Sequence, residues 1–250
     1  MIKKVSLAII ALGMLSCNEA KKEDLTNNTT DVEEVAQNPV KSILTAEEQA
    51  NMSPDEIIGR LKKGNENFVS NNLTQRDHSE QRRMAMMGQY PKAIVLSCVD
   101  SRVPVEDVFD LGIGDIFVAR VAGNIENEAI VGSMEFATAV AGSKVVIVMG
   151  HTACGAVKHA IDNTDAAALE MNNLQDLLNE IKPSIALTAV EGEVSSKNEA
   201  LTNDVISINA QKTVDDIRKR SPKMAALEKE GKIKIVAAVY DMATGKVKFM

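Results

Sequence analysis

The chemistry in this sequence gathers in two short stretches. Residues 96–107, LSCVDSRVPVED, place Cys98 where an apolar run ends, with Asp100 and Arg102 following at alternate positions. Residues 150–160, GHTACGAVKHA, end a second apolar run and carry His151 and Cys154 with two residues between them. A cysteine that served only packing would sit inside its run. A disulfide cysteine has no use for a neighbouring aspartate and arginine. Two thiolates and one imidazole are a soft donor set that suits tetrahedral zinc, and three protein ligands leave open the fourth position that catalytic zinc needs. His-x-x-Cys alone says little; joined to Cys98, Asp100 and Arg102 it has one chemistry that explains every member. Counted as cysteines only, Cys98 and Cys154 read equally as a disulfide in an oxidising compartment. That alternative accounts for neither His151 nor the Asp100–Arg102 pair.

The elements that must position these residues are legible from hydrophobic period. AIVLSC (93–98), IFVARVAG (116–123), KVVIVMGH (144–151) and KIKIVAAVYD (232–241) are short runs rich in Val and Ile, the pattern of strands buried on both faces of a parallel sheet. Helical patterns separate them: 126–142 with Gly142 as a C-terminal cap, and two long segments across 166–220. KVKFM (246–250) follows a turn and supplies an antiparallel edge strand. Strands alternating with helices predict an α/β fold: about four parallel strands plus that edge, flanked by helices. In front stand an amphipathic helix over 52–72, bent at Gly64, and a basic helix over 75–88. Ligand sites in open α/β sheets lie beyond the carboxyl ends of the strands. Cys98 ends the first strand and His151 the third, so both belong to that rim, with Gly123 and Asn124 shaping its wall after the second.

The N-terminus reads as an address. Lys3 and Lys4 precede an apolar stretch, Val5 to Leu15, far shorter than the ~20 residues a membrane span requires. MLSC (14–17) resembles the end of a bacterial lipoprotein signal, which implies cleavage before Cys17 and its lipidation. Residues 1–17 are then a signal peptide, 18–50 an acidic, Asn- and Thr-rich tether, and 51–250 the folded domain. The expected location is outside the cytoplasm, periplasmic or anchored at the outer membrane, with the lipid as the only membrane contact. A net charge of -7, 3% aromatic residues and no Trp exclude a phosphate-tracking basic face or an aromatic stacking platform, so no nucleic-acid partner is expected.

CVDSRVP (98–104) followed by GHTACGAV (150–157) looks like the paired signatures of the β-class carbonic anhydrases, and the resemblance extends over about residues 52–250. It implies one Zn2+ per chain on Cys98, His151 and Cys154, and reversible hydration of CO2 to bicarbonate by zinc-bound hydroxide. Asp100 and Arg102 become the family's dyad, with Asp100 also able to close on zinc as a fourth ligand. Gln89, nine residues before Cys98, matches a glutamine that contacts substrate, and Val103 is a candidate apolar wall for CO2. Family members assemble as homodimers or homotetramers. Val95 stands where one branch carries the Trp of a bicarbonate switch, and Val121 follows Arg120 where many members have Asn. Alternatives are a relative hydrolysing carbonyl sulfide or carbon disulfide on the same zinc, or a non-catalytic binding lipoprotein locked by a Cys98–Cys154 disulfide.

Other features take bland readings. LGIGD (111–115) precedes a strand rather than opening a helix, so it is a turn and not a dinucleotide loop. His159 and His78 read as surface residues.

Overall fold

The computed structural model describes residues 38–250. The expected signal peptide, Cys17 and the first part of the expected tether lie outside the described residues. In chain order come α1 (Ala46–Asn51), α2 (Pro54–Val69), α3 (His78–Ala85), β1 (Ala93–Ser97), α4 (Val105–Val108) and β2 (Ile116–Arg120). A single 3-10 turn (Ala122–Asn124) leads to α5 (Glu128–Glu135), which runs on as one π turn (Phe136–Val140) into β3 (Val145–His151). Then follow α6 (Gly155–Ile161), α7 (Asn172–Ile185), α8 (Glu199–Arg220), α9 (Pro222–Lys229), β4 (Lys234–Tyr240) and β5 (Val247–Phe249). Among the described residues no helix is long and apolar enough to cross a membrane.

The five strands make one sheet in the order β2-β1-β3-β4-β5, parallel except for β5, as expected. From β1 the chain goes to one side to build β2 and to the other to build β3. The boundary between β1 and β3 is therefore the topological switch point, where a crevice opens beyond the strand ends. Ser97 pairs with Met149, so Cys98 and His151 leave adjacent strand ends at that crevice. β1 and β3 are buried along their whole length, which explains unbroken apolar runs in place of alternation. Ala93 and Val95 pack toward α2 and α4, whereas Ile94 and Leu96 pack toward α5 and α8. Each fully buried Leu, Ile or Val contributes about 1.5–3 kcal/mol. A third cluster lies under the rim and joins Cys98 and Cys154 to Leu178, Ile181, Leu201 and Val205 of α7 and α8.

α2 starts on a Ser53–Glu56 capping box with Pro54 in its first turn, and it buries Ile57 and Leu61 completely. It passes through Gly64 as one helix. The glycine serves close approach instead of a bend, since a Cβ there would lie 1.9 Å from the carbonyl oxygen of Phe109. The segment 126–142 is α5 plus the π turn, with Gly142 at φ +81° closing it.

The tether was expected to reach residue 50, yet residues 38–50 pack on the domain. Thr45 and Glu48 form a capping box for α1, and Gln49 Nε2 donates to the carbonyls of Pro91 and Ala141, each at 2.8 Å. Val40 bridges to Arg76. The docking is made by polar side chains on main-chain carbonyls, which hydrophobic pattern does not register.

The link from α2 to α3 closes on Asp110. Its carboxylate accepts from Asn67 Nδ2 (2.8 Å), Thr74 N (2.9 Å), Thr74 Oγ1 (2.7 Å) and Arg76 Nη1 (2.7 Å). Burial raises the Asp110 pKa, and the bonds from Asn67, Arg76 and Thr74 more than offset it, leaving the group below its ordinary range.

Candidate active site

Cys98 Sγ, a ring nitrogen of His151 and Cys154 Sγ lie within 4.8 Å of one another, all three buried. Each is placed by a different device. Cys98 follows directly on β1, and His151 is the last residue of β3. Cys154 is the N-cap of α6, reached through a tight turn in which Ala153 takes a left-handed φ of +58°. That turn is pinned from below: Thr152 N donates to Tyr240 O (3.0 Å), and Thr152 Oγ1 accepts from Met242 N (2.9 Å). Strain at a non-glycine residue of this kind collects where the surroundings hold a functional loop in place. The two cysteines are free thiols, so the disulfide that cysteine count allowed is not the arrangement found.

His151 settles its own tautomer. Nδ1 lies 2.9 Å from the carbonyl oxygen of Thr152, which can only accept, so Nδ1 carries the proton. The Nε2 lone pair then faces the two sulfurs, and Nε2 is buried with no hydrogen-bond partner. A buried acceptor left unmatched beside two thiols fits a soft cation as the missing partner. Of the two sulfurs, Cys98 is the one already poised to lose its proton. The hydrogen bond from Cys154, joined by one from the Gly123 N–H, draws the Cys98 pKa down to about 4 against the opposing effect of burial. The same Cys98–Cys154 bond, together with burial, pushes Cys154 up.

Asp100 stands just outside the three ligands. Its Oδ1 accepts from the Arg102 main-chain N–H (3.0 Å) and Nε (2.9 Å), and its Oδ2 accepts from Arg102 Nη2 (2.7 Å). The fork binds bidentately and holds the carboxyl well below the usual range. Oδ2 lies 3.9 Å from His151 Nε2. Asp100 thus rests on the arginine in this structure. Arg120 clamps the loop from the neighbouring strand through Nε to Cys98 O (2.9 Å) and Nη2 to Asp100 O (2.6 Å).

Two expected substrate contacts do not gather here. Val103 is fully buried among Val105, Val108 and Phe109, in a different cluster from Cys98 and Cys154, so it is core and not an exposed wall. Gln89 is exposed and precedes β1, at the end of the strand away from Cys98, roughly 15 Å off at strand rise. The chain's own fold keeps it from the site. His159 is exposed, with Nδ1 3.0 Å from Thr164 Oγ1, and His78 is exposed at the start of α3. Gly123 lies beside the site, its N–H reaching Cys98 Sγ at 3.4 Å, and Asn124 is buried next to it. The sequence reading missed Asn209, in the middle of α8, whose Nδ2 donates to Gly123 O at 2.8 Å. It lies 86 residues from its partner in a helix with no motif, so no sequence signal marked it.

Residues 93–247 match the family described as carbonic anhydrase. A carbonic anhydrase of Mycolicibacterium smegmatis is 33% identical over 198 residues, 79% of this chain and 93% of that protein. Carbonic anhydrase 2 of Mycobacterium tuberculosis is 32% identical over 197 residues, covering 78% and 92%. Among solved structures, the β-carbonic anhydrase CcaA superposes with a TM-score of 0.60 at 22% identity, over 78% of this chain and 93% of that one. The Coccomyxa β-carbonic anhydrase gives 0.58 at 21%, over 80% and 86%. These last two likenesses show that the fold is that of solved β-carbonic anhydrases, and the sequence matches carry the conclusion: the chain belongs to the carbonic anhydrase family.

Proposed function

We propose that this protein catalyses the reversible hydration of CO2 to bicarbonate and a proton, with one zinc ion held by Cys98, His151 and Cys154. The observation that carries this reading is the unpartnered Nε2 of His151, buried against two thiols and beside a carboxylate locked by an arginine. Zinc in this place supplies a Lewis acid that makes water nucleophilic near neutral pH. Two thiolates give the cation more charge than imidazoles would, so turnover is favoured by alkaline pH.

Asp100 has the acceptor capacity the reaction needs. Oδ1 is committed to two donors of Arg102, whereas Oδ2 takes one and keeps a lone pair on the side of His151. That lone pair can accept from a water O–H and fix its orientation toward CO2. Arg102 keeps the carboxylate from collapsing onto the cation, and Arg120 keeps the loop from shifting. Gln89 can serve such a site only from a second copy of the chain. A homodimer or homotetramer is supported by the free edge of β2, where a cavity of about 610 Å³ is lined by Ile94, Phe117 and Phe136, with Phe136 50% exposed and Val140 73% exposed nearby. Two β-carbonic anhydrases of Sordaria macrospora are described as tetrameric. Export and lipidation at Cys17 rest on the sequence of residues 1–17.

Metal analysis with stopped-flow CO2 hydration tests the reading. One zinc per chain and turnover that rises toward alkaline pH are expected; a zinc-loaded protein without hydration activity overturns it. Radiolabelled fatty acid should enter the exported protein and be lost in Cys17→Ser.

A further inference from the structure

Gly123 is held at both of its polar main-chain atoms. Its N–H donates to Cys98 Sγ at 3.4 Å, and its carbonyl accepts from Asn209 Nδ2 at 2.8 Å. Asn209 is 1% exposed, and its Oδ1 accepts from Ser184 Oγ, on α7, at 3.3 Å. Ser184 is fully buried. A carbonyl can only accept, so the amide must turn its Nδ2 toward Gly123, and the serine hydroxyl satisfies the oxygen that remains. Gly123 itself sits at φ +69°, and a Cβ there would come within 2.6 Å of Ile181 Cδ1. Two helices therefore close on one glycine.

The placement is costly unless it does something. Asn209 and Ser184 lie among Leu178, Ile181, Val205 and Ile206, where each polar group costs about 1–3 kcal/mol if its bond is lost. A leucine on α8 would leave the Gly123 carbonyl and the Ser184 hydroxyl without these partners. What the asparagine adds is a fixed address for the Gly123 N–H, and that N–H points at a metal-ligating sulfur.

We propose that Asn209 is a positioning residue of the metal centre: by holding Gly123 it keeps an N–H on Cys98 Sγ and so sets how much charge that sulfur gives the cation. The proposal rests on the zinc reading above. A hydrogen bond to a thiolate drains charge from it, so the cation it ligates stays the stronger Lewis acid, as outer-shell partners do in metal sites generally. Asn209 touches neither metal nor substrate. Its effect passes through one glycine, and Ser184 passes a weaker effect through the asparagine.

Cobalt(II) in place of zinc makes this visible, because the sulfur-to-metal charge-transfer band reports thiolate donation directly. The full chain is loaded with cobalt as wild type, Asn209→Leu and Ser184→Ala, and each is also unfolded in urea. Asn209→Leu should move the band to longer wavelength, and Ser184→Ala should move it the same way by less. A merely structural role would lower the urea midpoint and leave the band in place, and that result overturns the proposal. If Asn209→Leu does not fold, Ser184→Ala decides by the same criterion. A wild-type protein that binds cobalt without any thiolate band overturns the metal reading instead, and the two failures stay distinct.

Discussion

Asp100–Arg102 and Asp110–Arg76 are the same ion pair built in two places, each with a 2.7 Å contact between a guanidinium nitrogen and a carboxylate oxygen. Asp110 has 3% of its side chain exposed and Arg76 13%, and every face of that carboxylate is occupied by Asn67, Thr74 or Arg76. Asp100 has 15% exposed and Arg102 57%, and Oδ2 keeps an acceptor direction toward His151. The first pair is a knot that fastens the α2–α3 link to the loop after α4. The second holds a carboxylate ready at the rim of the sheet. Local completeness separates structure from chemistry here, since a site must leave a lone pair unspent.

Asn in place of each aspartate should separate the two most widely. Asp100→Asn removes the charge that Arg102 orients, and kcat for CO2 hydration should fall by about 10²–10⁴-fold, the range for a lost general base or orienting acceptor. The variant should keep its zinc and unfold within about 0.5 kcal/mol of wild type, as expected for a partly exposed position. Stopped-flow turnover with metal content checks this, and undiminished turnover would remove Asp100 from the mechanism. Asp110→Asn should do the reverse. It removes the charge facing a half-buried Arg76, which keeps its bonds to the Thr74 and Asp110 carbonyls, and should cost about 1–3 kcal/mol in urea unfolding, with kcat of the folded enzyme nearly unchanged. Asparagine tolerates the φ of +51° at this position, so the loss reports on charge and not on backbone strain.

Lysine for arginine sharpens the comparison at a smaller scale. Arg102→Lys loses the two-point fork and should lower kcat roughly tenfold, because a single ammonium cannot fix the plane of the carboxylate. Arg76→Lys should leave kcat alone and cost on the order of 1–2 kcal/mol of stability, since one hydrogen bond of the knot is kept and the others go.

The two pairs also differ in how well the sequence announced them. Asp100 and Arg102 are two residues apart beside Cys98, so their meeting is local and the motif displays it. Asp110 and Arg76 are 34 residues apart and meet only because α2, α3 and α4 pack together. The sheet was legible for the same local reason: runs of Val and Ile in β1, β3 and β4 carry their burial in their composition. The switch point followed from strand order, which composition does not contain, although the rim was named correctly through Cys98 and His151. Val103 was misplaced because an apolar residue after a turn looks alike whether it faces a site or a core. The docked segment 38–50, Gln49 on two carbonyls, and Asn209 on Gly123 were out of reach. Each is a polar side chain meeting main chain far away, and such pairings leave no period and no motif.

The smallest expected effect lies in acid. Asp110 has a folded pKa lowered below its ordinary value, so it stabilises the fold in full above its unfolded pKa, near 4. That stability drains as pH falls through the folded value, because only the unfolded chain takes up the proton readily at first. Asp100 is lowered too, by the Arg102 side chain first, but its pair faces water, which screens the interaction. Urea midpoints measured between neutral pH and pH values below 4 should therefore fall less steeply in Asp110→Asn than in wild type, while Asp100→Asn follows the wild-type slope more closely. Equal flattening in both variants would mean that the exposed pair carries as much of the fold as the buried one, and the distinction between knot and site would have to be redrawn on activity alone.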